Sequence, residues 1–336
     1  MVAARRICPH DAGDQYLSER LERVVAMVAE TTRPDGIILG GSAGRGEAVV
    51  VRRGSGPDAL SDFEISVVRR APIPRSLLER LEREATAATG IETHFWWNHP
   101  RKFRSALMKR RTINNYEFIA ASRTLMGREF LRGLPAPLPV SLPAQEGVML
   151  ILNRLFELAA ADPKTAAYKV TKVATALRDA SVLRAGEYHW SYLERQRRWE
   201  SRFAGRWPDL DEMLAHAHAA RFQGEPLPWF DPQKVLGSFE HASLTMLGDL
   251  LGLPLRKWEH FPRALGPFMR RADRAGRWLE RARLGLKAAV QGRWSWLLAS
   301  RWSMLSRAVM MFPGAKRGPD WRGELDAAVE YWKVMQ

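Results

Sequence analysis

Apolar and polar positions follow two different periods along this chain. The run Ile37-Ile38-Leu39 is continuously apolar and predicts a short buried strand. Between 62 and 67, Phe63, Ile65 and Val67 alternate with Asp62, Glu64 and Ser66, which predicts a half-buried strand with both carboxylates on one face. Leu77, Leu78, Leu81 and Ala85 recur at helical spacing within Pro74–Ala88, and Gly90–Trp97 reads as a further strand on which Glu92 and His94 share a face. The closely spaced prolines of Gly133-Leu134-Pro135-Ala136-Pro137-Leu138-Pro139 block helix and central strand alike, so a linker is expected there. Downstream, strand signals nearly vanish, while Glu146–Ala161 and Ala166–Arg184 show helical spacing on either side of an Asp162-Pro163 stop. The expected fold class is α+β, with strands confined to the first part and helices dominating the rest.

The candidate chemistry lies at the first two strands. Gly40-Gly41-Ser42-Ala43-Gly44 predicts a turn whose backbone amides face phosphate oxygens. Paired carboxylates beside such a turn suit Mg²⁺, a hard ion that takes oxygen ligands and shares them with substrate phosphates. The order strand, Gly-Gly-Ser turn, then a strand carrying Asp62-Phe63-Glu64 resembles the nucleotidyltransferase superfamily typified by DNA polymerase β and kanamycin nucleotidyltransferase. The match runs over roughly 20–132 and continues through Asn114-Asn115-Tyr116-Glu117-Phe118 and Leu125-Met126-Gly127-Arg128. It implies a small mixed sheet with flanking helices, and transfer of a nucleoside monophosphate from a nucleoside triphosphate, ATP by default, to an acceptor hydroxyl with release of pyrophosphate. Two Mg²⁺ ions are implied, with Asp62 and Glu64 as metal ligands and Gly40, Gly41 and Ser42 as phosphate-binding residues. Arg45 and Glu47 complete a Gly-Ser-x-x-Arg-Gly-Glu variant associated with bacterial small-molecule members, and Arg45 is a further phosphate-binding candidate. Nineteen residues, 43 to 61, separate Ser42 from Asp62, more than the family usually has. A surface insertion with Arg52-Arg53-Gly54-Ser55-Gly56-Pro57-Asp58 turn chemistry is expected to absorb them.

A site of this kind usually employs a third carboxylate, and Glu92 is the candidate metal ligand and base, with His94 as its neighbour. In the helical region Tyr168, Lys172, Thr175 and Asp179 form one polar stripe, and Lys172 is the candidate for a phosphate contact. Arg184 and His189 fit the Arg-four-residues-His pattern of HEPN ribonucleases, but Gly186 interrupts the helix between them. The implied organisation is a catalytic domain at 1–132, a linker at 133–143, a helical domain at 144–260 and a basic, Trp-rich segment at 261–336.

Charge adds a second theme. The 336-residue chain carries a formal net charge of +15. Between 263 and 317, thirteen Lys or Arg face only Asp273 and Glu280, interleaved with Trp278, Trp294, Trp296 and Trp302. That composition suits an anionic membrane surface, a polyanion, or helices that pack tryptophan inward. Arg101–Arg111 is likewise basic, for phosphates or for solvent. No apolar stretch approaches the ~20 residues of a membrane span, and the N-terminus lacks a secretory apolar core, so a cytoplasmic location is expected, with peripheral contact at the inner membrane surface open. Cys8 is the single cysteine and no Cys/His cluster has zinc spacing. The alternatives to an enzyme are a non-catalytic nucleotide- or partner-binding regulator of antitoxin type, or a basic RNA-binding or RNA-modifying protein.

Overall fold

The structure is a computed structural model and describes residues 6–54, 56–109, 111–273, 322 and 325–330. The fold is α+β, with one small mixed sheet near the N-terminus and a mostly helical C-terminal region. Chain contacts divide it into two units. The first comprises Met1–Leu142, Gly186–Arg198 and Ala215–Leu227; the second comprises Pro143–Ala185, Trp199–Leu214 and Pro228–Gln336. The first division falls between Leu142 and Pro143, just after the proline-rich stretch, but the first unit also takes in two later segments of chain.

In the first unit the order is α1 (Asp11–Thr32), β1 (Gly36–Leu39), α2 (Gly41–Arg45), β2 (Val50–Arg53), β3 (Gly56–Ala59), β4 (Phe63–Val68), α3 (Arg75–Thr89), β5 (Thr93–Asn98), α4 (Pro100–Lys109), α5 (Ile113–Ala121) and β6 (Arg123–Gly127). The sheet order is β5-β4-β1-β6, with β1 antiparallel to both neighbours and β4 parallel to β5. Burial follows the period of two. Ile37, Leu39, Phe63, Ile65, Val67 and Phe95 join one core with Leu17, Leu21, Val24 and Val28 of α1 and Leu78, Leu81 and Ala85 of α3. Ile38 and Val68 point the other way, to Phe103 and Leu107 of α4, Ile119 of α5 and Phe130. α1 is not anticipated by the sequence reading, although its apolar residues recur every three or four positions. The long stretch between Ser42 and Asp62 is a two-stranded hairpin, β2–β3, with Arg53 paired to Gly56.

α8 (Tyr192–Arg202) and α9 (Pro208–Phe222) each carry residues of both units. The second unit is built on α6 (Ala144–Ala159) and α7 (Ala166–Arg184), joined through 160–165, with α10 (Pro232–Ser238), α11 (Glu240–Leu251) and α12 (Phe261–Asp273). Its core gathers Ile151, Leu155, Phe156, Val173, Leu177, Trp199, Leu247, Phe261 and Leu325. The Trp199 indole donates to Asp211 Oδ1 at 2.7 Å, which satisfies the one polar atom of that buried ring. Among the described residues no helix is long and apolar enough to cross a membrane. Most of the basic, Trp-rich 263–317 segment lies outside the described residues.

Candidate functional site

The site is set by where β1 ends and β4 begins. Because the two strands are antiparallel with Leu39 opposite Ile65, the turn after β1 arrives beside the first residues of β4. Gly40 N donates to the Glu64 carbonyl at 2.8 Å and locks the turn there. Gly41 has φ +60°, a conformation that favours glycine, and a Cβ on it would stand 2.8 Å from the Glu64 carboxyl carbon and push that side chain aside. Ser42 Oγ donates to Ser61 Oγ at 3.1 Å, and Ser61 Oγ accepts from Val49 N at 2.8 Å, which ties the turn to the residue before Asp62. The amide cradle is smaller than the sequence implies. Gly40 N serves Glu64 and Gly44 N serves the Gly40 carbonyl at 2.8 Å, so an anion has Gly41, Ser42 and Ala43 to meet.

The acidic residues share one face. In the parallel β4–β5 pair Phe63 is opposite Thr93 and Glu64 opposite His94, so Asp62, Glu64, Glu92 and His94 lie on the same side of two adjacent strands. His94 Nε2 is 3.3 Å from Glu92 Oε1 and 3.8 Å from Asp62 Oδ2. The hydrogen bond with Glu92 raises the imidazole pKa above its ordinary value, against burial and with help from the Asp62 charge. Asp62 is 38% exposed and Glu92 71%, so both carboxylates reach solvent.

Among the described residues no group of three or more His, Cys, Asp or Glu side chains is arranged as a metal cage. The donor set still fits Mg²⁺ in kind, because that ion is usually held by one or two carboxylates together with substrate phosphates. Asp62 and Glu64, in phase beside the turn, meet that requirement for one ion. The Glu92 carboxylate, expected to complete a second metal position, stands against His94 instead.

Arg45 is placed differently from a phosphate ligand. Its Nη1 is 2.6 Å from Glu117 Oε2 and its Nε 3.6 Å from Glu47 Oε2. Glu117 also accepts from Arg195 Nη1 at 2.5 Å and from the Tyr188 hydroxyl at 2.6 Å. Burial pushes the Glu117 carboxyl up, but Arg45 and Arg195 outweigh it and hold the pKa below the usual carboxylate value. Glu47 accepts from the amide of Tyr192 at 2.9 Å and from Ser191 Oγ at 2.8 Å, and so caps the start of α8 with a carboxylate from far away in sequence. Arg221 donates to the Glu47 carbonyl. Sequence reading gave Glu47 and Glu117 no role and missed Arg195 altogether. Their signal was the Arg-Gly-Glu end of the turn motif and a Glu inside the apolar α5.

Lys172, in the second unit, is 2.5 Å from Glu157 Oε2, and Lys169 is 3.4 Å from the same oxygen. Arg154 pairs with the other Glu157 oxygen. Burial and Arg154 push the Lys172 ammonium down to about 8 despite Glu157. Of the rest of the expected stripe, Asp179 pairs with Arg178 at 2.6 Å and Thr175 Oγ1 donates to the Lys172 carbonyl. Arg184 Nε donates to the Asp249 carbonyl, while His189 Nδ1 accepts from Ser191 N. On α4, Arg104 donates to the carbonyls of Phe130 and Arg132.

No protein-family model matches this chain, and no curated protein matches it either.

Proposed function

We propose that the first unit is the catalytic part of a Mg²⁺-dependent nucleotidyltransferase that moves a nucleoside monophosphate from a nucleoside triphosphate, ATP by default, to an acceptor hydroxyl. The observation that carries this reading is the placing of Asp62, just before β4, and Glu64, in phase on it, against a Gly-Ser turn whose Gly41 holds a left-handed φ of +60°. Terminal phosphates lie on the amides of Gly41, Ser42 and Ala43. Asp62 and Glu64 would hold the ion, which would neutralise phosphate charge. Glu92, whose Oε1 is 3.3 Å from His94 Nε2, is the carboxylate on this face assigned to accept the acceptor's proton. The acceptor oxygen then bonds to the α-phosphorus as the bond to pyrophosphate breaks. Arg45 acts at one remove, by fixing the far end of α2 to Glu117.

The test is incubation with each α-labelled triphosphate, Mg²⁺ and cell extract as the source of acceptor, comparing the parent protein with Asp62→Asn. Label transfer by the parent and its loss in the variant, with an unchanged circular dichroism spectrum, is the expected result; equal transfer by both removes the assignment. A second reading, nucleotide binding without transfer, draws on the engagement of Glu92 by His94. It predicts Mg·ATP binding by the parent protein without any labelled product.

A further inference from the structure

We propose that Trp96 is the platform on which the base of the bound nucleotide stacks, an inference that rests on the nucleotide reading of this site. Among the described residues, Trp96 is the exposed large apolar side chain of β4 and β5, at 44% exposure. Its neighbour Trp97 packs against the core and donates its indole N–H to the Arg69 carbonyl at 2.9 Å. Trp96 points to the opposite face, which it shares with Glu92 and His94 by strand alternation. Its ring centroid is 6.2 Å from that of His94, which in turn reaches Asp62 and Glu92. An indole of this size left open beside carboxylates is unspent apolar area with a flat face.

The strand order explains why the base falls there. The Gly-Ser turn follows β1, Asp62 immediately precedes β4 and Glu64 lies on it, and Trp96 stands on β5, so turn, metal ligands and indole are laid out in that order across the sheet. Neighbouring strands are about 4.8 Å apart, and two residues along a strand add about 6.6 Å. A triphosphate with its terminal phosphates on the turn passes its α-phosphate over β4 and delivers its ribose and base toward β5. Stacking on an aromatic ring tolerates any base, so this platform supplies affinity without choosing among triphosphates.

The experiment is calorimetric titration of the full chain, in Mg²⁺, with ATP, with GTP and with inorganic tripolyphosphate, for the parent, Trp96→Ala and Trp96→Phe. Trp96→Ala is expected to weaken ATP and GTP about 5- to 150-fold, leave tripolyphosphate unchanged, and be largely restored by phenylalanine. Undiminished ATP affinity in Trp96→Ala, or parallel loss of ATP and tripolyphosphate, overturns the platform while leaving the phosphate site standing. If the parent binds neither ATP nor tripolyphosphate, the nucleotide reading itself fails and the platform falls with it.

Discussion

Replacing Glu117 by Gln tests how much the buried charge cluster of the first unit contributes to its stability. The substitution keeps shape and one acceptor oxygen but removes the charge that faces Arg45, Arg195 and the Tyr188 hydroxyl at 2.5 to 2.6 Å. An exposed ion pair contributes up to about 1 kcal/mol. Glu117 is 15% exposed and Arg195 3%, so the relevant comparison is a buried pair broken on one side, which costs about 3–5 kcal/mol. Arg45 retains Glu47 at 3.6 Å, which places the expected loss toward the lower end of that range. Urea unfolding at pH 7, followed by circular dichroism, measures it. Because the folded-state pKa of Glu117 lies below the usual value, its contribution is complete above the ordinary carboxylate range and falls away only as pH drops through the folded pKa. A double-mutant cycle with Arg195→Met should give a coupling of at least about 0.5 kcal/mol. A loss under about 1 kcal/mol with additive single effects would refute the claim that this cluster acts as a buried unit.

Gly41→Ala forces a side chain into φ +60° and onto the Glu64 carboxylate; it should cost about 1–2 kcal/mol from the backbone alone and weaken Mg·ATP binding, whereas Gly54→Ala, with open space at its Cβ, should do neither. In the second unit burial raises the Glu157 carboxyl, yet Arg154, Lys172 and Lys169 bring it down to about 2. The stability difference between parent and Glu157→Gln should therefore be full above pH 4.5, at most about 3 kcal/mol, and vanish as pH falls toward 2, as read by urea unfolding across that range. Lys172 acts in the same sense at higher pH: its folded pKa of about 8 lies below the ordinary 10.5, so parent stability should rise relative to Lys172→Met as pH climbs between those values.

What could be read from the chain follows from how local each signal is. The period of two around Asp62 and Glu64 and the apolar run before Gly40 fix β1 and β4 and the face of each carboxylate, and Ala166–Arg184 is a helix with the bounds its apolar spacing predicts. Gly90, at φ +71°, ends α3 where the helical pattern stops. The main partner of Arg45 was not legible, because Glu117 lies 72 positions away and nothing local marks either residue as buried. Arginine after a Gly-Ser turn reads as a phosphate contact when burial is unknown; only the placing of α5 beside α2 brings the Glu117 carboxylate to it. The neighbourhood of Glu92 and His94 was legible from strand alternation, whereas the approach of Asp62 to His94 Nε2 at 3.8 Å depends on the β4–β5 pairing.

The Glu47 cap on α8 also has consequences during synthesis. A ribosome that has released residues through 142 has exposed every strand of the sheet, yet Glu47 still lacks the amide of Tyr192 and Glu117 still lacks Arg195. At about 5–20 residues per second, the nascent chain waits several seconds with these acids hydrated rather than sealed. A fragment cut at the proline-rich stretch would stay in that waiting state indefinitely.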